Sequence, residues 1–69
     1  MIAPKQGVVE DFDGRYWSVR FGPGACDIHW LRPFDFAGGD GPIERGEPVV
    51  LRYEVTPRSG LWIADRNVR

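Results

Sequence analysis

The chain is poor in residues that cross-link or ligate. Its 69 residues hold one cysteine, Cys26, one histidine, His29, and one lysine, Lys5. A single cysteine excludes an intrachain disulfide and, with it, the main sign of an oxidising compartment. A structural zinc site takes about four Cys or His ligands. The short spacing Cys26-Asp27-Ile28-His29 therefore predicts no metal, and no cofactor is expected. No apolar run approaches the roughly 20 residues of a membrane span, and Met1 to Gly7 lacks the hydrophobic segment of a signal peptide. The expectation is a small whole protein of the cytoplasm with no membrane partner. Helical periodicity is also missing, since nine Gly and six Pro interrupt the chain too often for a 3.6-residue repeat. Gly38-Gly39-Asp40-Gly41 lacks the Lys-Ser/Thr of a phosphate-binding loop, so it reads as a loop tip.

What is present suits a dense core: three Trp, four Phe, two Tyr and a good supply of Val, Ile and Leu. At this length the whole chain, residues 1–69, is one domain. Between the Gly and Pro positions the intervals alternate as strands do. Gly7 to Phe12 is the first, and Asp13-Gly14 is a hairpin signal. Arg15 to Phe21 follows, with Trp17, Val19 and Phe21 on one face and Tyr16, Ser18 and Arg20 on the other. After Gly22-Pro23-Gly24, Ala25 to Leu31 sets Cys26, Ile28 and Trp30 against Asp27, His29 and Leu31. A long segment from Arg32 to Gly46 leaves room only for a short helical turn near Pro33 to Phe36. Pro48 to Thr56 places Val49, Leu51, Tyr53 and Val55 on one face, and Leu61 to Val68 closes the chain. A three-strand meander, a long crossing and a final hairpin predict an all-β fold, a small five-stranded antiparallel barrel of the OB type. An SH3-like barrel is the alternative.

Charge is nearly balanced at −1, and the basic side is eight Arg to one Lys. From Arg45 onward five Arg face three acids, whereas Glu10 to Asp13 carries three acids and no base. Near-neutrality argues against strong non-specific binding to nucleic acid.

Several stretches resemble the bacterial cold-shock proteins. Gly7-Val8-Val9-Glu10-Asp11-Phe12 is similar to that family's first strand, Gly-x-Val-x-Trp-Phe. Ile28-His29-Trp30 is similar to its Val-His-Phe. Gly46 to Val55 resembles its Gly-x-x-Val-x-Phe-x-Val strand, and Arg58-Ser59-Gly60 with Ala64 and Asn67-Val68 resembles its Gly-x-x-Ala-x-Asn-Val close. The resemblance implies an OB-fold that binds single-stranded RNA or DNA, with a regulatory or RNA-chaperone role. The expected platform is Tyr16, Ser18, Arg20, His29 and Trp30, with Phe12 and Phe34 at its margin and Arg58 supplying backbone charge. Where the family carries stacking rings, this chain has Asp11, Ser18 and Asp27, and carboxylates repel phosphate, so the expected binding is weak by the family's standard.

Each of these residues also has a packing role open to it. Trp17 is expected in the core, Phe34 and Phe36 as plugs of a barrel end, and His29 as a hydrogen-bonded or surface residue. Alternation alone leaves Trp30 inside or outside. Catalysis is not expected: Ser18, His29 and an Asp do not make a triad without geometry. A protein partner is the rival function, with Tyr16, Trp17 or Trp30 lining a groove for a peptide or methylated cation and Asp11 or Asp27 as acidic neighbours.

Overall fold

Gly and Pro divide the chain where its strands end. The computed structural model describes residues 2–66. In order along the chain come β1 (Lys5–Phe12), β2 (Trp17–Arg20), β3 (Ile28–Leu31), a 3-10 turn (Pro33–Asp35), β4 (Phe36–Ala37), β5 (Pro48–Val55) and β6 (Gly60–Asp65). They form one mixed sheet in the order β3-β2-β1-β5-β6-β4. Every pairing is antiparallel except β4 with β6, where Phe36 lies opposite Ala64 and Ala37 opposite Asp65. The all-β expectation holds, with two corrections. The sheet has six strands rather than five, because the 3-10 turn after β3 swings Phe36 and Ala37 alongside β6. Among the described residues no pairing joins the outer strands β3 and β4, so the ladder is open rather than a closed antiparallel barrel. The expected final strand to Val68, and the Asn67-Val68 match, extend outside the described residues. Among those described, no helix is long and apolar enough to cross a membrane.

Alternation along β1 turns Gly7 and Val9 inward. Gly7 is required by proximity: a β-carbon there would meet Val19 Cγ1 at 2.9 Å and the Arg20 carbonyl at 3.1 Å. Val9, Val19, Leu31, Val49, Leu51 and Ala64 form the buried core, and Trp17, Phe21, Phe36, Ile43 and Trp62 pack against it. A small aliphatic centre is thus enlarged by half-buried rings, as suits the limited core of a short chain.

Two local devices shape the β1–β2 hairpin. Asp13 Oδ1 accepts the amides of Arg15 (2.8 Å) and Tyr16 (2.7 Å), while Gly14 takes a φ of 100°. Those backbone hydrogen bonds, Tyr16 first, hold the Asp13 carboxyl below the usual carboxylate range. Further in, the register breaks: Val9 lies opposite Val19 but Asp11 opposite Ser18, so Glu10 is an extra residue in a β-bulge. At the far side, the long segment before β5 is tied down by Arg66. Its guanidinium contacts Glu47 at 2.6 Å and the carbonyls of Gly41 and Pro42 at 3.0 and 3.1 Å.

Candidate functional site

Register decides which side chains of β2 and β3 share a face. Ser18 lies opposite Trp30 and Arg20 opposite Ile28, while Val19 lies opposite His29 and Trp17 opposite Leu31. Val19 and Leu31 are buried, so Ser18, Arg20, Ile28 and Trp30 belong to the outer face. Trp30 is 57% exposed, which settles its orientation. Tyr16 and Arg32 continue this face, and Phe34 projects from the 3-10 turn with 80% of its surface exposed. The Arg32 guanidinium lies 5.3 Å from the Phe34 ring centroid. Its pKa is raised, chiefly by the hydrogen bond and charge of Asp35, with Tyr16 a smaller contributor. Asp35 is itself buried; its Oδ2 accepts the Arg32 amide at 3.0 Å and Nε at 3.2 Å, which fixes the turn that presents Phe34. Phe12, at the end of β1, stacks on Trp17 with ring centroids 4.7 Å apart.

Charge on this face is arranged in pairs. Arg20 Nε lies 2.6 Å from Glu10, and its Nη1 donates to the Gly22 and Gly24 carbonyls. Arg45 reaches Asp11 at 2.7 Å, and Arg32 reaches Asp35 at 3.2 Å. On the other half of the sheet Arg52 contacts Glu54 and Asp65. Beside the Glu10–Arg20 pair lies a cleft of about 420 Å³ lined by Gln6, Val8, Phe21 and Gly22 as well.

The structure thus brings Tyr16, Arg20, Trp30 and Phe34 together along β2, β3 and the turn that follows, whereas Phe12, opposite Trp17, falls on the face of the buried Val19 and Leu31. It does not bring in three other expected residues. Ser18 is 3% exposed, and its hydroxyl serves the bulge: Oγ accepts the Asp11 amide at 3.1 Å and donates to the Asp11 carbonyl at 3.3 Å. His29 points inward, its ring 4.8 Å from Phe21 and 4.7 Å from Trp62. Its Nε2 is sealed from solvent with no protein hydrogen-bond partner. Burial, and next to it the Lys5 charge, push its pKa down. Arg58 lies in the β5–β6 turn, separated from β2 in the sheet by β1. Trp17, expected in the core, is half-buried against it.

Arg32, Arg45 and Lys5 join these residues without having been expected from the sequence. Arg32 stands two residues after Trp30, so alternation carries it to the same face, a signal that was available. Lys5 had none. Its ammonium lies 3.7 Å from the Phe21 centroid and 4.5 Å from that of Trp62, a cation–π arrangement. Among the described residues no group of three or more His, Cys, Asp or Glu is placed to hold a metal ion. Comparison with protein-family models, with curated proteins and with solved structures gives no match.

Proposed function

We propose that this chain is an OB-type, cold-shock-like domain that binds single-stranded RNA or DNA on the outer face of β2 and β3. The observation that carries the reading is the gathering of Trp30, Phe34 and Tyr16 as exposed rings around one face, with Arg32 set over Phe34. Exposed rings with adjacent guanidinium groups are what single-stranded bases stack on, without need of base-edge readout. The strand pairing supports the OB component. β1 sits between β2 and β5, β5 and β6 form a hairpin, and the segment after β3 runs parallel to β6. That is the connectivity of a partly open five-stranded barrel if β3 and β4 are taken as one interrupted strand. No catalytic role is proposed.

The test is a titration of intrinsic Trp fluorescence with mixed-sequence single-stranded oligonucleotides at low salt. Saturable quenching that weakens as salt rises is expected. Trp30→Ala or Phe34→Ala is expected to weaken binding by about 1–3 kcal/mol each, with thermal stability retained. Unchanged affinity in both variants would sink the platform.

A second reading, a protein-binding module, is favoured by one specific observation: Arg20, Arg32 and Arg45, on or beside the face, each already contact a carboxylate. An aromatic surface of neutralised charge also suits a protein partner. Absence of quenching at low salt would favour that reading.

A further inference from the structure

Resting on the nucleic-acid reading, we infer that Asp11 is an intramolecular stand-in for a backbone phosphate. It occupies Arg45 in the free protein, and a phosphodiester takes its place when a strand binds.

The placement follows from the register. Asp11 lies opposite Ser18, and Ser18 opposite Trp30. Asp11 and Trp30 are therefore separated by two strand spacings, about 10 Å. A strand whose base lies on Trp30 brings its backbone within reach of the group that Asp11 holds. That group is Arg45, whose Nη2 lies 2.7 Å from Asp11 Oδ1. A guanidinium accepts a carboxylate or a phosphate with the same paired N–H geometry.

The pair is built to exchange. Its side chains are 73% and 62% exposed, whereas those of Arg66 and Glu47 are 10% and 18%. Exposed pairs of this kind contribute little to stability, so an incoming phosphate meets a low barrier to replacing Asp11. Both partners are nevertheless held in place by their backbones. Asp11 Oδ1 accepts the Phe12 amide at 2.9 Å, and the residue after Arg45 is anchored beside the bulge by a 2.7 Å bond from the Gly46 amide to the Val9 carbonyl. Arg45 therefore stays at the edge of the face after Asp11 releases it. Asp11 acts here as a positioning and affinity-setting residue.

The experiment is fluorescence anisotropy with a labelled single-stranded oligonucleotide at low salt, on the full chain and on Asp11→Asn, Arg45→Ala, the double variant and Asp40→Asn. The last makes the same charge change at a loop carboxylate that makes no ion pair with Arg45, and thermal melts check that each variant is folded. Asp11→Asn is expected to tighten binding about threefold, the scale of one exposed ion pair. Arg45→Ala is expected to weaken binding and to abolish the Asp11→Asn gain, and Asp40→Asn to change little. The same gain with and without Arg45 would show simple repulsion and overturn the inference. So would no gain while the unaltered chain still binds. If neither the unaltered chain nor any variant binds at low salt, the nucleic-acid reading itself falls.

Discussion

Ser18 and Asp11 are bound to each other twice across the β1–β2 bulge, the hydroxyl accepting one backbone group and donating to the other. A bulge disrupts the ladder locally, and beside the extra Glu10 the buried Ser18 hydroxyl satisfies the amide and the carbonyl of Asp11. Ser18→Ala is expected to cost about 1–2 kcal/mol, since it strands a partly buried amide. For a chain of this size that is a fall in Tm of about 4–8 °C for each kcal/mol. Ser18→Phe, which would restore a ring where the cold-shock pattern has one, is expected to destabilise more and to gain no affinity. Thermal melts with an oligonucleotide titration check both.

His29 makes stability depend on pH in a defined direction. Its pKa is lowered from 6.5 by burial and then by Lys5. The unfolded chain therefore takes up this proton first as pH falls. The contribution of the neutral ring is complete above the unfolded value and is lost as pH drops through the lowered folded one. Tm is expected to decline from about pH 7 towards pH 5. His29→Phe, which keeps a ring between Phe21 and Trp62, is expected to flatten that limb. The more acidic limb, from Asp13 and Glu47 whose carboxyls are both held low, should remain. Melts across pH that show the same slope in both proteins would refute this role.

Gly60 leaves room for the Tyr53 ring. A β-carbon at Gly60 would overlap the phenol, which itself packs edge-on against Trp62 with centroids 5.3 Å apart. Gly60→Ala is expected to cost about 1–3 kcal/mol by overpacking. In a Tyr53→Ala background the same change should be nearly neutral. Urea unfolding of the four proteins of this cycle measures the coupling.

Arg66 and Glu47 form the least exposed ion pair described. The hydrogen bond from Arg66 is the first cause of the lowered Glu47 pKa. Arg66→Ala leaves a shielded carboxylate without its partner and two loop carbonyls without their donor. It is expected to destabilise by about 2–4 kcal/mol. Arg66→Lys should recover only part of this, because an ammonium cannot span the carboxylate and both carbonyls. Hydrogen exchange around residues 41–47 should accelerate in both variants, and unchanged exchange would show that the loop is held by other contacts.

The hairpins were legible because turn chemistry and alternation agree there. Asp13-Gly14 turns as its residues predict, and in Pro48–Val55 the face read as apolar buries Val49 and Leu51 but leaves Val55 exposed. The short helical turn after Pro33 was legible for the same reason. Trp30 was not, because β3 is apolar on both faces and only its register with Val19 and Ser18 assigns an inside. Strand β1 begins at Lys5, two residues before the alternation that starts at Gly7, and the sequence hides this because Lys5 and Gln6 are polar. A cation that packs over Phe21 and Trp62 gives no hydrophobic signal. Parity places Ser18 on the face of Trp30, as its register confirms, yet its role depends on a bulge at Glu10 that no residue type announces. Phe36, expected as a plug, does pack against the core, but it also supplies the parallel pairing to β6 that alternation could not foresee.

The close pairing of arginines with carboxylates has a kinetic consequence. Opposite charges a few ångströms apart present dipoles rather than net charge, and at moderate salt their fields fade within about a Debye length, some 8–10 Å. A ligand approaching such a surface is not drawn in from afar. Association is expected at about 10⁵–10⁶ M⁻¹s⁻¹ rather than at steered rates of 10⁸ or above. Differences in affinity between ligands of this face should therefore lie in how long each remains bound.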